Sequence, residues 1–199
     1  QAFTVTPQVK VTGSGSRPGE TVTVTGTGFG AAETGIVVTW DGAAALTVGT
    51  ANANGGWSVT LTIPNAANGP HNINAYGNVT LAGTTSNVSL SVGHSFNISP
   101  SSGVVGTSVT VNGSGFYAYE TGIQALFNGT AISSGITAGA NGTWSTTFTI
   151  PATARGSYLT TAQGSTTTTS QVPGKTFVLA PTVSISPISG YAGQVVSVN

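Results

Sequence analysis

The sequence contains an internal repeat with a period of 87 residues, and this repeat constrains the fold more than any other feature. GTGF at residues 26–29 recurs as GSGF at residues 113–116. Three further segments recur at the same spacing without a gap: ETGI at 33–36 and 120–123, NGGWS and NGTWS at 54–58 and 141–145, and TIP at 62–64 and 149–151. The repeat indicates two copies of one structural module.

The register of the repeat continues beyond both copies. FNISP at residues 96–100 aligns with VSISP at 183–187, and QAFTVTP at 1–7 lies two periods before KTFVLAP at 175–181. We therefore predict four segments: a terminal strand of an incomplete module at residues 1–8, a first module at 9–95, a second module at 96–182, and the first strands of a further incomplete module at 183–199.

The residue pattern within each module is that of β-strands. Residues 21–25 (TVTVT) and 57–63 (WSVTLTI) alternate apolar and polar side chains, which is the period of a half-buried strand. Asp-Gly and Asn-Gly turn dipeptides follow at 41–42 and 54–55, and no segment sustains a helical period. About seven short strands per module are typical of a sandwich. We predict an all-β chain of two tandem Ig-like β-sandwich modules with partial-module strands at both ends.

Large aromatic residues recur at equivalent positions of the two modules. A core position fits a tryptophan that recurs on a strand better than a sugar-stacking position does. Trp40, which Phe127 replaces, is expected in the core as well. The residues that we expect at the centres of the two cores are Phe29 and Trp57 in the first module, and Phe116 and Trp144 in the second.

Several segments of the second module match known patterns. PSSG at 100–103, GTSVTV at 106–111 and GSGF at 113–116 resemble the opening of IPT/TIG-type immunoglobulin-like repeats. Residues 141–151 resemble the second hairpin of bacterial and archaeal surface Ig-like repeats, whereas the first module departs from the opening pattern at residues 11–15. The resemblance implies a stalk, an adhesin, a filament subunit or a cell-envelope layer, with no catalytic residues to carry over.

The composition excludes several classes of function. The chain has four basic and four acidic residues, and its charged fraction of 4% is far below the roughly 25% of typical domains. Without a basic patch it cannot bind nucleic acid electrostatically. No apolar stretch reaches the ~18 residues of a membrane span. The chain lacks cysteine, and it lacks methionine even at position 1, so we expect a processed chain, secreted and displayed at the cell surface.

Catalytic candidates are few, and the repeat argues against them. His71 and His94 are the only possible bases of a triad, and they align with Tyr158 and Pro181, so we expect exposed or cap-like histidines. The four carboxylates offer no pair that both modules retain. We predict neither an enzyme nor a cofactor site. The carboxylates are Glu20, Glu33, Asp41 and Glu120.

Glu33 and Glu120 are the only charged residues common to both modules. Calcium would need about six to eight oxygen ligands, which this region lacks, so we predict no metal site. An isopeptide crosslink would need a lysine in each module, but Lys10 aligns with Asn97 and Lys175 lies in the final strand. We expect both carboxylates to accept backbone N–H bonds in a bend.

The chain carries six Asn-x-Ser/Thr sequons. Glycans at these positions could hydrate a surface that has almost no charge, so we predict a glycoprotein. The candidate asparagines are Asn78, Asn87, Asn97, Asn112, Asn128 and Asn141.

The leading functional hypothesis is an extracellular structural protein, the subunit of a surface filament or layer. A terminal strand without its module exposes backbone groups and an apolar face, and a strand from another copy could cover it. The sequence leaves open which end donates the strand. The candidate contact residues are Phe3, Val5 and Pro7 at one end, and Val183, Ile185, Val196 and Val198 at the other. The alternatives are a fragment of a longer multi-Ig adhesin or stalk protein and, third, a carbohydrate-binding module.

Overall fold

The computed structural model describes residues 5–13, 15–183 and 185–198. This part of the chain contains strands and turns but no helix, so the prediction of an all-β fold is confirmed. Its contacts define two compact units. The first contains the chain up to Ser95 together with Gly113–Thr121 and Thr137–Trp144, and the second contains Phe96–Asn112, Gly122–Ile136 and the chain from Ser145 onward.

Seven strands build the first module as two antiparallel sheets. The sheets have the strand orders β1-β2-β5 and β4-β3-β6-β7. A two-residue turn, Asp41-Gly42, connects β3 to β4, and both of its residues have positive φ, as a tight hairpin requires. The strands are β1 (Gln8–Thr12), β2 (Thr21–Thr27), β3 (Ile36–Trp40), β4 (Ala43–Gly49), β5 (Trp57–Thr62), β6 (Gly69–Tyr76) and β7 (Val88–Val92).

The two sheets enclose one hydrophobic core, because their apolar side chains alternate with polar ones. In β2, Val22 and Val24 are buried, while the threonines between and beside them are not. Val22 and Val24 belong to the same buried cluster as Ile36 and Val38 of β3 and Ile73 of β6, which lie in the other sheet. This arrangement is a β-sandwich.

The second module repeats this strand order. Seven of its strands begin and end 87 residues after their counterparts in the first module. The additional short strand, β9, pairs in parallel with β15. The strands are β8 (Ser95–Ser99), β9 (Ser102–Gly103), β10 (Ser108–Ser114), β11 (Ile123–Phe127), β12 (Thr130–Ile136), β13 (Trp144–Thr149), β14 (Gly156–Gln163) and β15 (Lys175–Leu179). The sheet orders are β13-β10-β8 and β12-β11-β14-β15-β9.

A short hairpin near the C-terminus forms a sheet of two strands, β16 (Ile185–Ser186) and β17 (Ser197–Val198). Ile185 lies opposite Val198, just as Val11 lies opposite Val24 in the β1–β2 pair. The hairpin therefore has the register of the hairpin that opens the first module, two periods earlier in the sequence. We name residues 183–198 the terminal hairpin.

Candidate functional site

The recurring Gly and Trp residues form one close contact in each module. An added Cβ at Gly26 would lie 2.2 Å from the Trp57 indole, and one at Gly113 would lie 2.2 Å from the Trp144 indole. Phe29 meets Trp57 edge-on, with ring centroids 5.4 Å apart, and Phe116 meets Trp144 in the same way. All four aromatic side chains are buried. This contact explains why the GTGF and Trp segments recur together.

Glu33 is buried and ties two distant segments together. One carboxylate oxygen accepts the N–H groups of Val79 and Thr80. The other accepts the Gly30 N–H at 2.7 Å and the Thr80 hydroxyl at 2.8 Å. Burial alone would raise the pKa of Glu33, but these hydrogen bonds outweigh it and hold the pKa below its ordinary value. Glu33 therefore fixes the bend after β2 to the loop after β6.

Glu120 occupies the equivalent position of the second module and is also buried. Its carboxylate accepts the Tyr117 N–H at 3.2 Å, as Glu33 accepts that of Gly30. The described part of the chain contains no group of three or more His, Cys, Asp or Glu residues that could hold a metal ion. In both modules the repeated glutamate therefore accepts the N–H of the residue three positions before it.

Asp41 and His71 are hydrogen-bonded at one edge of the first module. The Asp41 carboxylate lies 2.7 Å from Nδ1 of His71 and accepts the Asn72 N–H at 2.8 Å. Burial opposes ionisation of Asp41, but these hydrogen bonds overcome it, so the pKa of Asp41 lies below its ordinary value. Nε2 of His71 lies 2.9 Å from the carbonyl oxygen of Ala67. Trp40, which is only partly buried, stacks on the His71 ring.

His94 is buried, and the expectation of an exposed or cap-like histidine is wrong at this position. Its ring lies edge-on to Phe116, with centroids 5.2 Å apart. Burial lowers the pKa of His94, Glu120 opposes that change, and Arg17 adds to it. His94 lies two residues before Phe96 and four before Ile98, which are both buried, so the alternation of residues 94–98 is the sequence signal of its burial.

The six sequon asparagines all have exposed side chains. Some of these side chains make hydrogen bonds. Oδ1 of Asn141 accepts the Thr143 N–H and hydroxyl, and Nδ2 of Asn78 donates to the Thr34 hydroxyl. In this chain, glycosylation at Asn78, Asn87, Asn97, Asn112, Asn128 and Asn141 stays a prediction.

The terminal hairpin exposes the apolar residues that the sequence singled out. Val196 and Val198 are 48% and 67% exposed, whereas Val109 and Val111, their counterparts one period earlier, are 0% exposed. Val183 and Ile185 are exposed too, although the equivalent Phe96 and Ile98 are buried. At the other end of the chain, Val5 is exposed and Pro7 is partly buried. Phe3 lies outside the described residues.

No helix in the described residues is long and apolar enough to cross a membrane.

The chain matches several solved structures at low identity and with TM-scores below 0.5. Invasin, a bacterial integrin-binding protein, is 16% identical with a TM-score of 0.37, and the match covers 90% of this chain and 42% of that one. The central fibronectin-III array of RIM-binding protein is 11% identical with a TM-score of 0.32, covering 90% and 66%. Fibronectin(III)-like modules of Clostridium thermocellum CbhA are 12% identical with a TM-score of 0.28, covering 86% and 94%. The chain spans less than half of invasin's length.

No curated protein matches the chain in sequence. A protein-family model matches the chain, and the match lies on the first module, whose opening departs from the expected pattern. Domains of this family are typically non-catalytic binding or structural modules of extracellular, adhesion-type proteins. Residues 4–92 match the model of the IPT/TIG domain, and this confirms the resemblance predicted from the sequence.

Proposed function

We propose that this chain is an extracellular structural protein, the subunit of a glycosylated surface filament or layer that assembles head-to-tail by β-strand complementation. The carrying observation is the terminal hairpin. Its apolar residues match core residues of the complete modules in sequence and register, yet they are exposed.

Two of the exposed residues share one face of the hairpin. Ile185 and Val198 are cross-strand partners and therefore point to the same side, and the exposed Val183 and Val196 precede them by two residues. Burying each such side chain is favourable by about 1.5–3 kcal/mol. A partner that covered this face would therefore gain substantial apolar contact as well as backbone pairing.

The N-terminal segment of a second copy is the occupant that we propose. Phe3 and Val5 lie two periods before Phe177 and Leu179, which are buried in β15 of the second module. There β15 pairs with β9, the segment that follows the module's first strand. A strand with the apolar pattern of residues 1–8 could therefore pair with the segment that follows β16, as β15 pairs with β9. Because donor and acceptor lie at different ends, the contact is head-to-tail and builds open polymers unless its rotation closes a ring.

Assembly of the purified chain tests the donation. We expect regular filaments by electron microscopy, and we expect Val196→Ser with Val198→Ser, or deletion of residues 1–8, to abolish them. Ser197→Asn is the matched control, since its side chain points to the opposite face of β17 and should leave assembly intact. A synthetic peptide of residues 1–8 should inhibit growth. Polymers that form unchanged after both the deletion and the double substitution would refute strand donation.

The register of the terminal hairpin also supports a second candidate, a longer adhesin or stalk in which the chain continues into a further module. The mass of the mature polypeptide, together with electron microscopy of material released from cells, separates the two. Filaments that rise by two module lengths per subunit favour assembly by copies. Flexible beaded chains of many modules within one polypeptide favour the stalk.

A further inference from the structure

A polar cleft opens at one edge of the first module, away from the terminal hairpin in sequence. It lies between the β3–β4 turn, strand β6 and the loop before β7, and its volume is about 440 Å³. Small-molecule sites commonly have about 300–1,000 Å³. The side chains that decide its chemistry are Thr39, Asp41, Asn72, Asn74, Tyr76 and Asn87.

Asp41 supplies a fixed hydrogen-bond acceptor at the cleft. One of its oxygens accepts the Asn72 N–H and the other pairs with His71, so the carboxylate is held in one orientation. A carboxylate has about four lone-pair sites. Two contacts therefore leave it able to accept further hydrogen bonds from a ligand, and its side chain is 46% exposed.

The opposite side of the cleft is held by an amide network. Nδ2 of Asn74 donates to the side-chain oxygen Oδ1 of Asn87 at 2.7 Å and to the backbone carbonyl oxygen of Thr85 at 3.2 Å. The side-chain oxygen Oδ1 of Asn74 accepts the Ala75 N–H and the Thr85 hydroxyl. Asn74 is thus a positioning residue, and it orients the exposed amide of Asn87.

The lining combines the groups that recognise a hydroxyl-rich ligand. Asp41 accepts from hydroxyl groups, and the Asn72 and Asn87 amides both donate and accept. Tyr76 adds an aromatic ring, which has an apolar face and a polar tip. The described lining residues include one carboxylate and no basic side chain, so an anionic ligand would be repelled without compensation. A neutral carbohydrate fits this combination.

The second module shows that the fold does not require these groups. Thr39 aligns with Leu126, Asn72 with Leu159, Tyr76 with Gln163 and Asn87 with Gly174, while Asp41 aligns with Asn128. The equivalent strands and turn are all present there. The combination of a carboxylate with the Asn72 and Asn87 amides and the Tyr76 ring is therefore specific to the first module.

We propose that this cleft binds a neutral oligosaccharide. Asp41 and the amide of Asn72 would hold its hydroxyl groups, Tyr76 would contact an apolar face of a sugar ring, and Asn87 would add a second amide in chains that carry no glycan at this sequon. This proposal does not depend on strand donation, since none of these residues belongs to the terminal hairpin or to residues 1–8.

Titration of the isotope-labelled chain, followed by amide NMR, tests the proposal. The chain is made in a host without N-glycosylation, so that Asn87 stays unmodified. The probes are cellopentaose, mannopentaose and N-acetylchitopentaose, with pentagalacturonate as the acidic counterpart and glycerol as a nonspecific polyol. We expect at least one neutral saccharide to shift the resonances of Asp41, Asn72 and Asn87, while those of Asn128 and Leu159 stay fixed.

Two substitutions by the second module's own residues complete the test. Asp41→Asn and Asn72→Leu should each raise the dissociation constant about tenfold or more, as expected when a hydrogen bond to a charged or oriented group is lost. Asn128→Ala, in the second module, is the control and should leave it unchanged. The proposal is overturned if no neutral saccharide shifts the cleft resonances, if pentagalacturonate or glycerol does so equally, or if both cleft variants bind as the wild-type chain does.

Discussion

The first and second modules have equivalent strands, but their side chains differ at the β3–β4 turn of the first module and the β11–β12 turn of the second. Asp41 and His71 are hydrogen-bonded there in the first module. In the second module, Asn128 and Tyr158 occupy these positions, and the Tyr158 hydroxyl donates to the carbonyl oxygen of Ala154. That carbonyl is the counterpart of the Ala67 carbonyl that His71 contacts.

The difference separates what the fold needs from what it tolerates. Both modules keep a side chain that reaches the carbonyl before β6 or β14, and both keep the Gly–Trp contact and the buried glutamate. The carboxylate at position 41 and the polar lining around it are not kept. The retained features should therefore control stability, and the ones that differ should affect stability little.

Gly26→Ala should be the most damaging single substitution among the retained features. The added Cβ would lie 2.2 Å from the Trp57 ring, which is buried and cannot swing aside. We expect a loss at or above the upper end of the roughly 1–3 kcal/mol typical of overpacking. Chemical denaturation followed by Trp fluorescence measures it.

Gly93→Ala is the matched control for that prediction. Its added Cβ would meet only the Ser16 carbonyl oxygen at 3.6 Å, an ordinary van der Waals distance. We expect a change near zero. Equal losses in the two variants would mean that the cost does not arise from the Trp contact.

Glu33→Gln should rank second. The substitution removes the charge and turns an NH₂ group toward donors that the carboxylate now accepts, which should cost about 1.5–3 kcal/mol. Glu20→Gln provides the comparison, because Glu20 also accepts backbone N–H groups but is 41% exposed. A loss for Glu20→Gln as large as that for Glu33→Gln would show that burial is not the source of the effect.

The sequence predicts the strands well because their signal is local. The alternation in β2 and β5 and the 87-residue spacing are sufficient to predict a sandwich and to place the exposed residues of the terminal hairpin. The partners of Glu33 could not be predicted in this way. Thr80 lies 47 residues from Glu33, in a loop without periodicity, and only the folded chain brings them together.

The polar cleft was also beyond prediction from the sequence. Asp41 follows β3, Asn72 belongs to β6, and Asn87 precedes β7, and each is an ordinary polar residue in its own segment. The sequence indicates Asn87 only as a sequon, and Asp41 only as half of a turn dipeptide and as one of four carboxylates without a retained pair. The burial of His94, by contrast, follows the local alternation that Phe96 and Ile98 continue, and the expectation of a surface position neglects that pattern.

Acidification should lower the free energy of unfolding by less than Gly26→Ala or Glu33→Gln does. The pKa of His94 in the folded chain lies below the ordinary 6.5, so below pH 6.5 the unfolded chain binds more protons than the folded one. Stability should therefore fall as the pH drops through 6.5 toward the folded-state pKa. The lowered pKa values of Glu20, Glu33 and Asp41 add a second fall below about pH 4.5.

Unfolding free energies measured from pH 8 to pH 3 test this sign. His94→Phe keeps an aromatic ring against Phe116 and removes the titrating group, so its stability should be flat between pH 7 and pH 5. If the wild-type chain is also flat in that range, His94 does not exclude its proton in the folded state.

Among the predicted losses of stability, that of Asp41→Asn should be the smallest, about 0.2–1 kcal/mol, which is the usual range for an exposed charged contact. Asn128 already occupies the same turn of the second module with φ of 50°, close to the 48° of Asp41, so the backbone accepts the substitution without added strain. The Asn72 N–H keeps an oxygen acceptor, and only the charge opposite His71 is lost. Thermal unfolding at pH 7 measures the change. A loss of several kcal/mol would show that the carboxylate is part of the fold, whereas a small loss together with a weakened affinity for a neutral saccharide would leave ligand binding as the reason for the carboxylate.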